Sequence, residues 1–188
     1  MVESPQSEDV QVHFESTPNP ATMKFIFDRT VAQGSAQFSN ASETRQSPLA
    51  AKIFGFPWVA GVFVGPSFVT VTKQDWVEWD VIAQPLAHLL EEHVASGELV
   101  LLVDERFNAE SDDSPQVQMI KQILDDEVRP AVAMDGGDIV FHKYEDQVVY
   151  VYMQGSCSGC PSSMMTLKDG VETRLKASLP EIREVVAI

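Results

Sequence analysis

Short apolar runs in the N-terminal half of the chain alternate with turn residues, a pattern that predicts strands. The runs pair up around two turns, one with Pro18 and Pro20 and one with Gly65 and Pro66. Val, Phe and Thr predominate in them, as is typical of β-strands. The predicted strands are residues 10–14, 23–27, 59–64 and 68–72. This half of the chain therefore predicts two β-hairpins.

Two helices are predicted in the same half. Ser47-Pro48 has the form of an N-cap followed by a first-turn proline, which indicates a short helix to about residue 54. From about residue 80, apolar residues follow helical spacing until Gly97. Pro85 must then lie near the first turn of this second helix or kink it.

An acidic, polar segment, residues 104–116, separates the two halves and predicts a solvated linker. Beyond it, Val117, Ile120, Leu124 and Val128 follow helical spacing. A turn at residues 135–138 leads into strand-like runs at 139–144 and 148–153, which predict a third hairpin. A helix from about residue 162 and a strand at 182–187 complete the chain.

This pattern predicts an α+β protein of two small α/β domains joined by the acidic linker. We expect a flexible tail at 1–9, an N-terminal domain at 10–103, the linker at 104–116 and a C-terminal domain at 117–188. The predicted element order in the C-terminal domain is helix, hairpin, helix, strand.

Charge and composition exclude several functions. The 188 residues include 13 basic and 28 acidic ones, and the net charge of −15 repels nucleic acid and anionic membranes. No apolar run approaches the roughly 20 residues that a membrane span needs. The acidic start is unlike a signal or transit peptide, which predicts an unprocessed, soluble, cytoplasmic protein. A single close cysteine pair is also unlike a disulfide-stapled secreted scaffold.

The candidate chemistry lies in Cys157 and Cys160, the two cysteines of the chain. They lie between a predicted strand and the start of the last helix, where backbone N–H groups and the helix dipole stabilise thiolates. A Cys-x-x-Cys pair alone is a weak signal, because it also occurs in redox enzymes, half zinc sites and inert structures. A tetrahedral zinc or 4Fe-4S centre generally needs four protein ligands, so a two-fold homodimer is the simplest source of the other two. The scattered histidines have no metal-motif spacing to the cysteines.

Several segments of the C-terminal half resemble the NifU C-terminal domain. The matching segments are 124–130 (LDDEVRP), 135–139 (DGGDI), 155–163 (GSCSGCPSS), 166–168 (TLK), 170–172 (GVE) and 180–182 (PEI). Residues 17–25 (TPNPATMKF) resemble the Nfu N-terminal domain. The whole chain is therefore similar to Nfu-type iron–sulfur proteins.

This resemblance implies a non-enzymatic carrier in which Cys157 and Cys160 of two subunits hold a 4Fe-4S cluster. Two cysteine pairs could also bind 2Fe-2S, so the preference for 4Fe-4S comes from the resemblance. The implied partners are a second copy of the chain, apo iron–sulfur client proteins and an upstream scaffold and cysteine desulfurase system. The chain has no cysteines for the further domains of full-length NifU proteins, which favours a carrier over a primary scaffold.

Two other functions remain open for the cysteine pair. The order of a strand, the segment Cys-Ser-Gly-Cys-Pro and a helix superficially resembles thioredoxin. The stretch after Cys160 has room for one helix and one strand only, whereas a thioredoxin-like fold needs a further hairpin and helix there. An intersubunit structural zinc site would use the same four thiolates. Other matched residues favour structural roles, since Gly136-Gly137 can supply turn dihedrals and Arg129-Pro130 can end or bend a helix.

Overall fold

The structure, a computed structural model, describes residues 10–102, 113–158 and 161–188. The described residues through Leu102 fall mainly in one compact unit and those from Asp113 in a second. Both units mix helices and strands, which confirms the predicted α+β class. No helix in the described ranges is both long enough and apolar enough to cross a bilayer.

The N-terminal unit is built on a five-stranded antiparallel sheet of order β1-β2-β5-β4-β3. Its strands are β1 Val12–Ser16, β2 Thr22–Phe27, β3 Ala36–Phe38, β4 Val59–Val64 and β5 Phe68–Lys73. The β1-β2 and β4-β5 pairs confirm the two predicted hairpins. Strand β3, an edge strand of three residues, was not predicted because it is too short for an alternating pattern.

The N-terminal helices begin close to where the sequence predicted. They are α1 Pro48–Ile53 and α2 Trp79–Ala95, with a 3-10 helix at Ala41–Gln46 before them. Ser47 caps α1, because its Oγ accepts a hydrogen bond from the Ala50 N–H at 3.0 Å. Pro85 lies inside α2. Beyond α2, Gly97 has a φ of +75°, the left-handed conformation that commonly ends a helix.

The C-terminal unit opens with three consecutive helical segments. They are α3 Pro115–Ile123, a π-helical segment Leu124–Val128 and α4 Arg129–Met134. The prediction that the linker extends to residue 116 is wrong at its end, because Ser114 caps α3 and Pro115 begins it. Residues 104–112 of the predicted linker lie outside the described residues, and the domain limits otherwise stay a prediction.

The π-helical segment shows how the chain accommodates Pro130. Proline has no N–H and crowds the carbonyl four residues earlier. Here the N–H of Arg129 donates to the carbonyl of Leu124, five residues back, so the helix widens by one residue just before the proline. Of the two outcomes that the sequence predicted at Arg129-Pro130, an end or a bend, the end is wrong, because helical residues continue to Met134.

The rest of the C-terminal unit is a three-stranded sheet with one crossover helix. Its elements are β6 Gly137–Glu145, β7 Val148–Gly155, α5 Pro161–Ser178 and β8 Glu184–Ala187. Strands β6 and β7 form the predicted third hairpin, and β8 pairs with β7 in parallel after the crossover through α5. Gly137 pairs with Gly155, so the start of β6 lies beside the end of β7, directly before the cysteines.

Candidate functional site

Cys157 lies in the turn that follows β7, and α5 begins four residues later at Pro161. The sequence placed this cysteine between a strand and a helix start, and the structure confirms that position. Its side chain is only 5% exposed and belongs to the hydrophobic core of the C-terminal unit. Cys160, the other predicted ligand, lies outside the described residues.

Gly137 forms the wall against which the sulfur of Cys157 packs. A Cβ atom built on Gly137 would lie 2.6 Å from Cys157 Sγ and 2.8 Å from the carbonyl oxygen of Gln154. Such distances are too short for any side chain. Gly136, by contrast, has a φ of +80° and is needed for its backbone conformation. The predicted turn-dihedral role therefore applies to Gly136, while Gly137 is required because it leaves room for the cysteine sulfur.

Ser156 connects the cysteine turn to the turn before β6, a role that the sequence analysis did not predict. Its backbone N–H donates to the Gly136 carbonyl at 3.1 Å, and its hydroxyl donates to the Asp135 carbonyl. The same Oγ lies 3.9 Å from Cys157 Sγ, within reach of a sulfur hydrogen bond. The side chain is 3% exposed, so the hydroxyl is fixed in a dry environment.

An ion pair between the half-exposed Arg129 and the buried Asp138 supports the same turn from the helical side. Arg129 Nε and Nη2 each lie 2.8 Å from a carboxylate oxygen of Asp138, which is 7% exposed. Asp138 also accepts a hydrogen bond from the Ile139 N–H, and Asp125 lies 3.0 Å from Arg129 Nη1. The hydrogen bonds that Arg129 donates to Asp138 raise the pKa of Arg129 further above its usual value. The arginine therefore ties the helices to the residue next to Gly137.

The histidines lie apart from one another in the described part of the chain. His93 is buried, with Nε2 3.1 Å from the Leu99 carbonyl, and burial lowers its pKa. His88 and His142 are exposed. Within the described part of the chain, no three His, Cys, Asp or Glu side chains come together as metal ligands.

Comparison with known proteins gives two domain matches. Residues 12–97 match the domain described as "Scaffold protein Nfu/NifU N terminal", and residues 120–186 match the "NifU-like domain". A solution NMR structure of a NifU-like protein from Saccharomyces cerevisiae is 27% identical, with a TM-score of 0.47 over 55% of this chain and 93% of that one.

Relatives about 40% identical occur among curated proteins. The "NFU1 iron-sulfur cluster scaffold homolog, mitochondrial" of Drosophila erecta is 42% identical over 93% of this chain, which spans 63% of that protein's length. The protein of the same name in Drosophila persimilis is 39% identical over 98% of this chain and 67% of its own length. Because both domains match and the identity extends over nearly the whole chain, this protein belongs to the Nfu family represented by these NFU1 homologs.

Proposed function

We propose that this protein is an iron–sulfur cluster carrier that binds a 4Fe-4S cluster between two copies of the chain and delivers it to apoproteins. Cys157 and Cys160 of each copy would be the ligands, and no catalytic residue is assigned. One observation carries the proposal: the chain's dithiol falls inside the matched NifU-like domain, with Cys157 at the β7–α5 junction. The names of the Drosophila relatives support an iron–sulfur role.

The position of Cys157 suits a thiolate that ligates metal. Three residues lie between it and the first residue of α5, an 18-residue helix whose N-terminal N–H groups and dipole favour negative charge. Two such loops, related by a two-fold axis, would supply four thiolates. Four cysteine ligands are the usual complement of a 4Fe-4S cluster, and the same set could hold 2Fe-2S.

Loading requires a local rearrangement. With its sulfur against Gly137 and only 5% of the residue exposed, Cys157 cannot reach a ligand that it shares with another chain. The turn after β7 must therefore open far enough to bring Sγ to the surface when the cluster binds. Opening removes a small apolar group from the core, and the new iron–sulfur bonds offset that cost.

Charge opposes the proposed dimer. Each chain has a net charge of −15, so two copies repel one another at low ionic strength. The cluster then has to hold the subunits together, because each contributes half of the ligands. We expect the apoprotein to be mainly monomeric and the cluster-loaded protein dimeric, with dissociation favoured by dilution and by low salt.

Anaerobic reconstitution tests the cluster site directly. We expect roughly four irons and four sulfides per dimer, because four thiolates match one 4Fe-4S cluster. Cys157→Ser and Cys160→Ser should each abolish the stable cluster, whereas Ser158→Ala, a change between the two cysteines, should retain it. A cysteine variant that keeps a full, stable cluster would falsify the assigned ligands. Zinc in place of iron would favour a structural site.

Transfer and sedimentation test the carrier role. Holoprotein should pass its cluster to an apo-ferredoxin in the presence of a chelator, and release should convert the dimer to monomers. A loaded monomer would contradict the shared site, and a dimer that never releases its cluster would indicate a structural centre. Turnover comparable to thioredoxin in an insulin-reduction assay would instead favour a thiol-disulfide oxidoreductase.

The cellular setting of this role also belongs to the proposal. Apo iron–sulfur proteins would receive the cluster, and a scaffold and cysteine desulfurase system would supply it. The Drosophila relatives are named mitochondrial, whereas we propose the cytoplasm for this chain. Cell fractionation with an antibody against the native chain would decide between these compartments.

A further inference from the structure

We propose that Ser156 is a positioning residue whose hydroxyl donates a hydrogen bond to the Cys157 sulfur when this cysteine ligates metal. This hydrogen bond would raise the reduction potential of the cluster and strengthen its binding. The inference rests on the proposed function, because it assigns a role within the same site. It begins from the fact that the buried Ser156 hydroxyl has two acceptors within reach, the Asp135 carbonyl and Cys157 Sγ.

The choice between these acceptors depends on the state of the sulfur. A neutral thiol is a weak acceptor, so the single hydroxyl proton goes to the Asp135 carbonyl, as the structure records. A metal-bound thiolate carries negative charge and is a much stronger acceptor. Ligation therefore shifts the hydroxyl from the carbonyl to the sulfur, which requires a rotation of the Ser156 side chain.

The backbone of Ser156 is fixed while its hydroxyl turns. Its N–H is bonded to the Gly136 carbonyl at 3.1 Å, and Gly137 in the next position packs against the sulfur. When the turn opens, the sulfur leaves Gly137, whereas the N–H bond holds the Ser156 backbone in place and the adjacent chain position keeps Oγ near Cys157.

A hydrogen bond to a ligand sulfur withdraws charge from it. Reduction adds negative charge to the cluster, so the bond stabilises the reduced form more and raises the reduction potential. It also holds the ligand in one orientation, as outer-shell partners of metal ligands generally do. Ser156 would thus set both the potential of the cluster and the strength with which it is held.

Ser158 provides a matched control. Its hydroxyl donates to the Gly155 carbonyl at 2.8 Å, one turn residue beyond Cys157. Ser156→Ala and Ser158→Ala each remove one hydroxyl that bonds a backbone carbonyl of the same region. Their effects on folding should be similar. Only the first removes the hydroxyl that lies 3.9 Å from Cys157 Sγ.

The test compares both variants in the full-length protein, with the iron–sulfur cluster and with Co²⁺ alone. We expect Ser156→Ala to lower the reduction potential, shift the thiolate-to-cobalt charge-transfer band and weaken Co²⁺ binding about tenfold. Ser158→Ala should leave all three near wild type. Ser156→Thr, which keeps a hydroxyl, should restore the band position.

The outcomes separate this inference from the proposed function. If wild type loads cluster and the two alanine variants behave alike, the role of Ser156 is refuted and the carrier function stands. If wild type binds cobalt but no cluster, the carrier function fails and the cobalt comparison still decides the role of Ser156. If wild type binds neither, both proposals are overturned. Ser156→Ala that loses thermal stability with an unchanged charge-transfer band would refute the tuning role and leave a structural one.

Discussion

Gly137→Ala adds one methyl group at the most crowded point of the candidate site. Ordinary nonbonded contacts lie at about 3.5–4.0 Å, so the methyl overlaps with Cys157 Sγ, 2.6 Å away, and the Gln154 carbonyl, 2.8 Å away, by about 1 Å. The carbonyl belongs to strand β7 and cannot move without distorting the β6-β7 pairing. Overpacking typically costs about 1–3 kcal/mol, and a clash with backbone favours the upper half of that range.

Gly170→Ala is the matched control for this change. Gly170 is exposed within α5, and a Cβ there meets no atom within 4 Å. The same substitution should therefore stabilise the helix by about 0.5–1 kcal/mol. The two variants are expected to differ in sign, although they add the same methyl group to the same unit.

Urea unfolding of the full-length protein can follow each unit separately. All three tryptophans lie within residues 58–79 of the N-terminal unit and all three tyrosines within residues 144–152 of the C-terminal one. Gly137→Ala should shift the unfolding midpoint of the tyrosine NMR signals to lower urea and leave the tryptophan fluorescence transition unchanged. A C-terminal unit as stable as wild type would refute the packing of Cys157 against Gly137.

Three further predictions concern buried polar groups. Asp138→Asn should destabilise the C-terminal unit by about 1–3 kcal/mol, because Arg129 loses its charged partner. In urea unfolding, Arg129→Gln should cost less stability in the Asp138→Asn variant than in wild type. As pH falls through 6.5, the N-terminal unit should lose stability by at most about 1.4 kcal/mol per pH unit, because burial lowers the pKa of His93 in the folded state only. Unfolding of His93→Gln, followed by fluorescence, should show a smaller change of stability with pH. An equal pH dependence in this variant and in wild type would contradict the assignment. Ser47→Ala should cost about 1–2 kcal/mol in the same assay, since its hydroxyl caps α1 and donates to the Val100 carbonyl at 2.6 Å; wild-type stability would contradict the capping role.

The sequence predicted elements whose signals are local. Three hairpins followed from apolar runs flanked by turn residues, and α1 followed from Ser47-Pro48, because caps and turns depend on neighbouring residues only. Strand β3 has three residues and gains its identity from pairing with β4, which no local pattern records. The π-helical segment was likewise missed, because it resolves a conflict between Pro130 and a helix that tertiary packing maintains.

The position of Cys157 was predictable from the sequence, and its surroundings were not. A Cys-x-x-Cys pair between a strand and a helix is visible in the sequence, and the structure places Cys157 there. The contacts that shape it join residues about 20 positions apart: Gly137 with Cys157 and Asp135 with Ser156. Their proximity depends on the β6-β7 register. The ion pair could have been predicted from the opposite charges of Arg129 and Asp138, which lie on either side of the Gly136-Gly137 turn in the sequence.

The turn between β6 and β7 has a consequence for how the C-terminal unit folds. Asp146 and Gln147 adopt φ values of +52° and +65°, a left-handed conformation that costs roughly 1–2 kcal/mol for each residue other than glycine. The isolated hairpin is therefore poorly suited to start folding. We expect it to become stable when β8 joins its edge, where the Arg183 N–H donates to the Gln147 carbonyl at 2.7 Å. Nucleation then depends on contacts that span the α5 crossover, so the cysteine turn acquires its shape late, together with the rest of the unit.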